Sequence, residues 1–474
     1  MTKQLQVALN DKAWARWTAL ILIASMMFFA YMFVDVISPI QTLIQDQLHW
    51  DADTYGTFGS SEYILNVFGF LIVAGIILDK MGVRFTGTLS ASVMVIGACI
   101  KLYAVSPWFT GTGLENWLNS WWVSLPATAK LASLGFMIFG CGCEMAGITV
   151  SKAIAKWFEG KEMALAMGLE MAIARVGVFA IFSISPKVHT WLGMPDEVYV
   201  PVAFCTALLL IGLICFMVFD VFDAKLDRET GAGTASDPEE EFRLSDVKNI
   251  FSSKLFWIVA MLCVLYYSAI FPFQKYAANM LQCNLGISAA AAADVFRWFP
   301  IGAALLTPFL GAFLDHKGKG ATMLIFGAIL MICCHLTFAL VLPSFPYTWV
   351  AFTAIIVLGI SFSLVPAALW PSVPKIMDKR FLGSAYSLIF WVQNIGLALF
   401  PILIGKVLTA TNPGVTDPLD YNYTWPLIML AGLGVLALFF GLWLKLLDKK
   451  HHYGLEAPNI KNTEAEQAEI EGNF

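Results

Sequence analysis

Charged side chains are scarce in this chain. Asp, Glu, Lys and Arg make up 13% of its 474 residues and hydrophobic residues 58%, where a soluble chain carries about 25% charged residues. That excludes an ordinary water-soluble globule and points to an integral membrane protein. Basic residues are too few and too scattered for a nucleic-acid footprint: 29 Lys and Arg stand against 34 Asp and Glu, a net charge of −5. The phosphate-cradling pattern GxxxxGK[ST] is missing, so ATP bound to this chain does not power its work. No Ser/His/Asp or metal-ligand cluster occurs. His49, His189, His316, His451 and His452 are scattered outside the apolar runs, and only His335 lies within one. The nine cysteines lie in or beside apolar runs, and the Cys141–Cys143 spacing fits no zinc site. An enzyme, a cofactor and a bound metal are therefore not expected. The N-terminus MTKQLQVALNDKAWARW is too polar for a cleaved signal, so the run after it reads as a retained first span.

Long apolar runs are what the chain has instead. A helical span takes about 20 apolar residues, and roughly twelve such runs follow one another. They centre near Phe28, Phe68, Val95, Phe139, Ile173, Ile211, Leu265, Ala304, Ile329, Val357, Leu397 and Val435. The short-period alternation of a membrane barrel is missing. The expected fold is all-α and membrane-embedded, with twelve spans in two six-helix halves.

Lys and Arg collect in alternate loops. Lys3, Lys12 and Arg16 precede the first span, Lys80 and Arg84 follow the second, and Lys152, Lys156 and Lys161 join the fourth and fifth. Lys317 and Lys319 follow the eighth, Lys375, Lys379 and Arg380 the tenth, and Lys445, Lys449 and Lys450 close the last. The intervening loops 45–54 and 342–348 have none. By the positive-inside rule both termini are cytoplasmic and the span number is even. The expected division is an N-terminal half over 1–222, a polar cytoplasmic linker over 223–250, a C-terminal half over 251–450 and a disordered acidic tail over 451–474. Trp108, Trp117, Trp121 and Trp122 fit a membrane-interface belt on the opposite side.

Two features carry functional weight. The first is a repeat of the form G-x-x-x-D-x-x-G, from Gly75 through Asp79 and Gly82 to Arg84, and again from Gly311 through Asp315 and Gly318 to Gly320. Its copies occupy equivalent places in the two halves. Duplicated halves belong to transporters, with the site at their interface. Asp79, Arg84 and Asp315 are thus gating candidates, an Asp here binding a helix N-terminus or a basic residue across the cytoplasmic gate.

The second is the stretch from Phe139 to Val178, where Glu144 and Arg175 are full charges deep inside apolar runs. Such a charge costs roughly 2.5–3.5 kcal/mol and marks a site or a structural pair. With a connector over 152–162, Glu144 lies about 12 Å inside one helix and Arg175 about 20 Å inside the next. Arg suits a carboxylate and Glu an ammonium, so the two suit a zwitterion; a helix-tying salt bridge is the structural alternative. Asp35 and Glu62 are candidate proton sites. Glu170 is expected to pair with Lys152 or Lys156, and Asp294 with Arg297 one helical turn on. Gln393 and Asn394 within the eleventh run need hydrogen-bond partners, and a peptide backbone is one.

The Gly75–Arg84 repeat and the twelve-span layout resemble the major facilitator superfamily, although Gly320 stands where a basic residue is usual. Trp157–Gly177 further resembles the W-F-x-G-K-E-x-x-x-x-x-G-L-x-x-x-x-A-R-x-G run of the lysosomal dipeptide uniporters within it. Tyr31–Asp35, Phe271–Phe273, Leu369–Pro374 and Gln393–Ala398 are similar to that group too. The resemblance implies facilitated dipeptide transport, with Glu144 and Arg175 engaging the substrate, Trp370 lining the pocket and Tyr31 nearby. A proton-coupled organic-anion carrier, for which Arg175 alone would suffice, is the alternative. A non-transporting receptor or scaffold is the less expected alternative, since it needs a sizeable soluble sensing domain or a long interaction tail and the sequence offers neither. The expected partners are a small zwitterion and the lipid bilayer, with protons left open. The expected location is the cell (inner) membrane.

Overall fold

The computed structural model describes residues 8–158, 161–230, 244–377 and 382–458, and all its regular secondary structure is helical. Among the described residues, eleven helices are long and apolar enough to cross a membrane. The twelfth span follows from one glycine. The helix Phe70–Val105 breaks at Gly82 (φ 76°, ψ 174°), a conformation closed to residues with a Cβ. Its first part continues Ala52–Val67 as span 2, and its second part is span 3. Span 1 is Ala13–Val34, span 4 Ala127–Phe158, span 5 Met163–Ile184 and span 6 Tyr199–Thr230. Span 7 is Lys254–Leu285, and span 8 joins Ala289–Phe296 to Trp298–Lys317. Span 9 is Gly320–Leu336, prolonged by a π-helical turn over Thr337–Val341. Spans 10, 11 and 12 are Thr348–Ile376, Leu382–Thr411 and Thr424–His451. The second repeat copy breaks at Gly318 (φ 69°), matching Gly82.

Apolar side chains point outward along spans 6 and 12. Ile214, Met217 and Val221, and likewise Val435, Phe439 and Leu446, are exposed. Bands of this kind suit lipid. One end of the bundle, here the terminal face, carries Leu9–Asp11, the connector between spans 4 and 5, and residues 451–458. The opposite end is the far face.

Three local features differ from the sequence expectation. The 4–5 connector is short, because span 4 stays helical to Phe158 and span 5 starts at Met163. Lys152 and Lys156 therefore lie on the helix, paired with Asp79 at 2.7 Å and Asp223 at 2.7 Å. Glu170 has neither lysine as partner, since both are committed elsewhere. The stretch starting at Asp223 is helical to Thr230, with Asp223 buried and taking Trp157 Nε1 at 2.8 Å. Residues 231–243 of the expected linker lie outside the described residues, as do Lys379, Arg380 and 459–474 of the tail.

The first residues after span 12 dock on the second repeat copy. Lys319 N and Gly320 N donate to Glu456 O and Leu455 O at 3.0 and 3.1 Å. The Glu456 carboxylate takes Thr322 N at 2.7 Å and Thr322 Oγ1 at 2.8 Å. An anion thus caps the start of span 9.

The halves join at the far face through spans 2 and 11. A Cβ on Gly56 would meet Pro401 O at 2.4 Å, and one on Gly405 would meet Ala52 O at 2.3 Å. Small residues let these backbones touch. The seam runs through Ser60, whose hydroxyl donates to Ala398 O, to Trp391 Nε1 on Val67 O at 2.8 Å. There span 2 bends at Gly69, and Phe68 is 82% exposed.

Candidate functional site

With the connector shortened, Glu144 is 14 residues from the end of span 4 and Arg175 is 12 residues into span 5. At about 1.5 Å per residue both lie roughly 20 Å from the terminal face. The mismatch in depth expected from sequence is gone.

Among the described residues neither charge has an ion pair or a side-chain hydrogen bond with the protein, and both are half-buried. Arg175 is held by rings instead. Its guanidinium carbon lies 5.7 Å from the Tyr31 centroid, 5.2 Å from Phe271 and 5.5 Å from Phe362. Ring faces attract a cation but leave the N–H edge free. Tyr31 comes from span 1, which meets span 5 closely: a Cβ on Gly177 would lie 2.5 Å from Phe28 O. Phe271 and Phe362 come from spans 7 and 10, so the cage of an N-half arginine is completed by the C-half. Tyr31 also sits in the field of Glu144.

The rings continue into the C-half. Tyr267 packs on Phe271 at 5.5 Å, on Phe362 at 5.6 Å and on Trp370 at 6.5 Å. Trp370 stacks on Phe390 at 4.8 Å, and Tyr386 OH donates to Trp370 O at 3.2 Å. One aromatic wall therefore joins Arg175 to Trp370. Asn394 is placed differently. It is buried, with Nδ2 donating to Phe390 O of its own helix at 3.0 Å, and Gln393 Oε1 takes Cys263 Sγ at 3.1 Å.

Toward the far face, Asp35 and Glu62 are drawn to two consecutive residues of span 7. Gln274 Nε2 donates to Asp35 at 2.5 Å, and Lys275 Nζ to Glu62 at 2.9 Å. Ser38 Oγ holds the other Asp35 oxygen at 3.2 Å. All four main partners are buried. Tyr55 OH donates to Lys275 O at 3.0 Å. Further out, Lys187 pairs with Asp294 at 2.7 Å and Arg297 reaches Ser183 Oγ at 3.0 Å. The expected Asp294–Arg297 pair is present at 2.9 Å. Apart from Ser38–Asp35 and Asp294–Arg297, each of these links spans the two halves.

At the terminal face the gating candidates behave otherwise. Asp79 binds Lys152 of span 4, and Arg84 reaches Asp227 at 3.3 Å and Asp223 at 3.8 Å on span 6. Both contacts stay within the N-half instead of crossing to the other. Asp315 lies at the end of span 8 in the field of Lys375. The molecule is thus tied across its halves at the far face, while these candidates brace a single half.

Twelve spans in two similar halves, with opposed charges left open at mid-depth between them, define a secondary transporter. The chain belongs to the Major Facilitator Superfamily, whose profile matches residues 23–281 and 276–463. Among its relatives is the lysosomal dipeptide transporter MFSD1 of Bos taurus, 28% identical over 372 residues, 75% of this chain and 70% of that one. The Homo sapiens protein of that name is 27% identical over 415 residues, 83% and 80% of the two chains. In structure the chain is similar to the nucleoside transporter NupG (TM-score 0.65, 15% identity, 90% and 99% covered). It is also similar to a bacterial homologue of the human lysosomal transporter Spinster in an inward-facing and occupied conformation (TM-score 0.64, 15% identity, 91% and 97% covered).

Proposed function

We propose that this transporter carries dipeptides by alternating access. The substrate ammonium binds Glu144, its carboxylate binds Arg175, and its side chains lie along Tyr267, Phe271, Phe362 and Trp370. What supports this most is one observation: Glu144 and Arg175 reach the same depth and, among the described residues, neither forms an ion pair, although Glu170 and Asp35 lie in the field of Arg175. An unpaired charge in a membrane interior is costly, and a zwitterion satisfies both at once. The curated relatives named as dipeptide transporters support the same substrate class. The chain acts as a carrier, not an enzyme, and works as a facilitated uniporter. Its termini are cytoplasmic by the placement of Lys and Arg, so the terminal face is the one that opens inward here. The far face is then closed by Glu62–Lys275 and Asp35–Gln274, with Asp79, Arg84 and Asp315 stabilising one state of the cycle. We place it in the cell membrane, which imaging of the tagged protein checks directly; an organellar pattern would move it.

Counterflow of labelled dipeptide into liposomes tests the function. A charge-assisted hydrogen bond is worth about 1.5–3 kcal/mol, so Arg175→Ala or Glu144→Gln should each weaken binding roughly 10- to 100-fold. An N-acetylated dipeptide should lose affinity for the parent but little more for Glu144→Gln. A C-terminally amidated one should behave likewise with Arg175→Ala. Well-folded variants indifferent to both blocking groups would refute the assignment.

A further inference from the structure

Lys101 of span 3 is completely buried, and its Nζ donates to no described residue. Three rings surround it: Phe136 at 4.4 Å, Phe33 at 4.5 Å and Phe58 at 5.0 Å from their centroids. Ring faces attract a cation at about 0.5–2 kcal/mol per contact and, with Glu62 and Asp35, favour the charged form, while burial and the neighbouring Lys275 oppose it until Lys275 withdraws. Phe136 serves two cations, since Lys275 Nζ lies 5.2 Å from the same ring. Lys101 and the Glu62–Lys275 pair therefore belong to one buried cluster.

The membership of that cluster is informative. Asp35 caps the end of span 1, and Glu62 and Lys101 sit in spans 2 and 3, with all three caging rings in spans 1, 2 and 4. Lys275 alone comes from the C-half. Other groups in the field of Glu62 or Lys101 are Glu144 and Cys143 of span 4, Tyr63 beside Glu62 and Cys205 of span 6. Arg175 and Tyr55 act on Asp35. With the far face closed, two acids face two lysines. When the halves part there, Lys275 leaves with its own half, and the cations that stay are Lys101, in the field of Glu62, and Arg175, in that of Asp35.

We infer that Lys101 is a standing counter-charge that lets Glu62 release Lys275 as a carboxylate, so that the far face opens without Glu62 taking up a proton. Without Lys101, the freed carboxylate shares a poorly solvated pocket with Asp35, and protonating it becomes the cheaper route. Lys101 is then a residue that keeps the cycle uncoupled from protons. The inference rests on the alternating-access reading but not on the choice of substrate.

The test reads far-face opening directly. A cysteine at Ser60, buried in the seam between spans 2 and 11, is labelled by a membrane-impermeant thiol reagent only when the far face opens. In proteoliposomes sorted for orientation, the rate is measured from pH 8 to 5.5, corrected for reagent reactivity with an exposed cysteine at Ser344. In the otherwise native chain the corrected rate should be flat, within about twofold. Lys101→Met, whose thioether fits the aromatic cage, should make the rate rise at least tenfold toward pH 5.5. Adding Glu62→Gln should flatten it again. A flat profile in well-folded Lys101→Met overturns the inference. So does a native profile that rises on acidification and is flattened by Glu62→Gln, a result that needs no Lys101 variant. Absence of dipeptide counterflow alongside the expected labelling would instead refute the substrate reading alone.

Discussion

Glu62 and Lys275 meet at 2.9 Å across the seam between the two halves, each less than a tenth exposed. Removing one member of such a pair costs up to about 3–5 kcal/mol, and less for Lys275 because Lys101 stays in the field of Glu62. That cost falls only on the state in which the far face is closed. Lys275→Met should therefore favour far-face opening by up to about two orders of magnitude. Glu62→Gln/Lys275→Met together should recover most of the loss. Labelling of the Ser60 cysteine gives the readout, and equal labelling in the single and double variants would contradict a coupled pair.

The cage around Arg175 makes a prediction about shape. A lysine keeps the charge but has no planar face to lie against Phe271 and Phe362 and no fork for a carboxylate. Arg175→Lys should weaken dipeptide binding roughly tenfold. Phe362→Leu should cost less, because Tyr31 and Phe271 remain. Calorimetric titration of the purified protein checks both, and parity of Arg175→Lys with the parent would show that charge alone suffices.

Asp79 and Lys152 are each about one third exposed, so their pair contributes at most about 1 kcal/mol to stability. In the proposed cycle the pair instead stabilises one conformational state. Asp79→Asn should slow turnover several-fold while leaving the equilibrium affinity within about twofold. Loss of affinity at an unchanged cycling rate would place Asp79 in the binding pocket instead.

One tie outside the spans has a defined pH window. Glu162 accepts Arg16 Nε at 3.1 Å and Nη2 at 2.9 Å, and these bonds hold its carboxyl below the ordinary range. Lys161 does the same for Asp11. A lowered carboxyl pKa stabilises the folded form above the unfolded value, and that contribution is lost as pH falls through the folded one. The N-terminal segment should thus stay tied to the 4–5 connector from pH 8 down to about pH 4. Below that its backbone amides should exchange faster. Unchanged exchange of residues 9–16 through pH 3 would contradict the tie.

The span count and the halves were legible because apolar length and loop charge are read directly along the chain. Glu144 and Arg175 were legible for a related reason: a full charge inside an apolar run stands out. Lys101 and Lys275 meet the same criterion, in ACIKLYAV and FPFQKYAA, and that test applied to every span would have found them. What sequence could not supply was pairing. That Lys275 reaches Glu62, or that Phe362 lies against Arg175, depends on contacts more than a hundred residues apart. The depth of Glu144 was misjudged for a local reason. Lys152 and Lys156 looked like loop, yet they remain helical because Asp79, Asp223 and Asp227 receive their charges.

Gly320 occupies the position where the first half has Arg84 nearby to reach span 6. In the second half the tail takes up the bracing, as Leu455 and Glu456 clamp the start of span 9 and Lys375 donates to Gly454 O and Ala457 O at 3.0 Å each. Residues 451–458 are therefore not a spare handle. A purification tag fused after residue 458 leaves the clamp whole, whereas a chain cut at residue 450 is a different machine, with one of its two repeat turns unfastened.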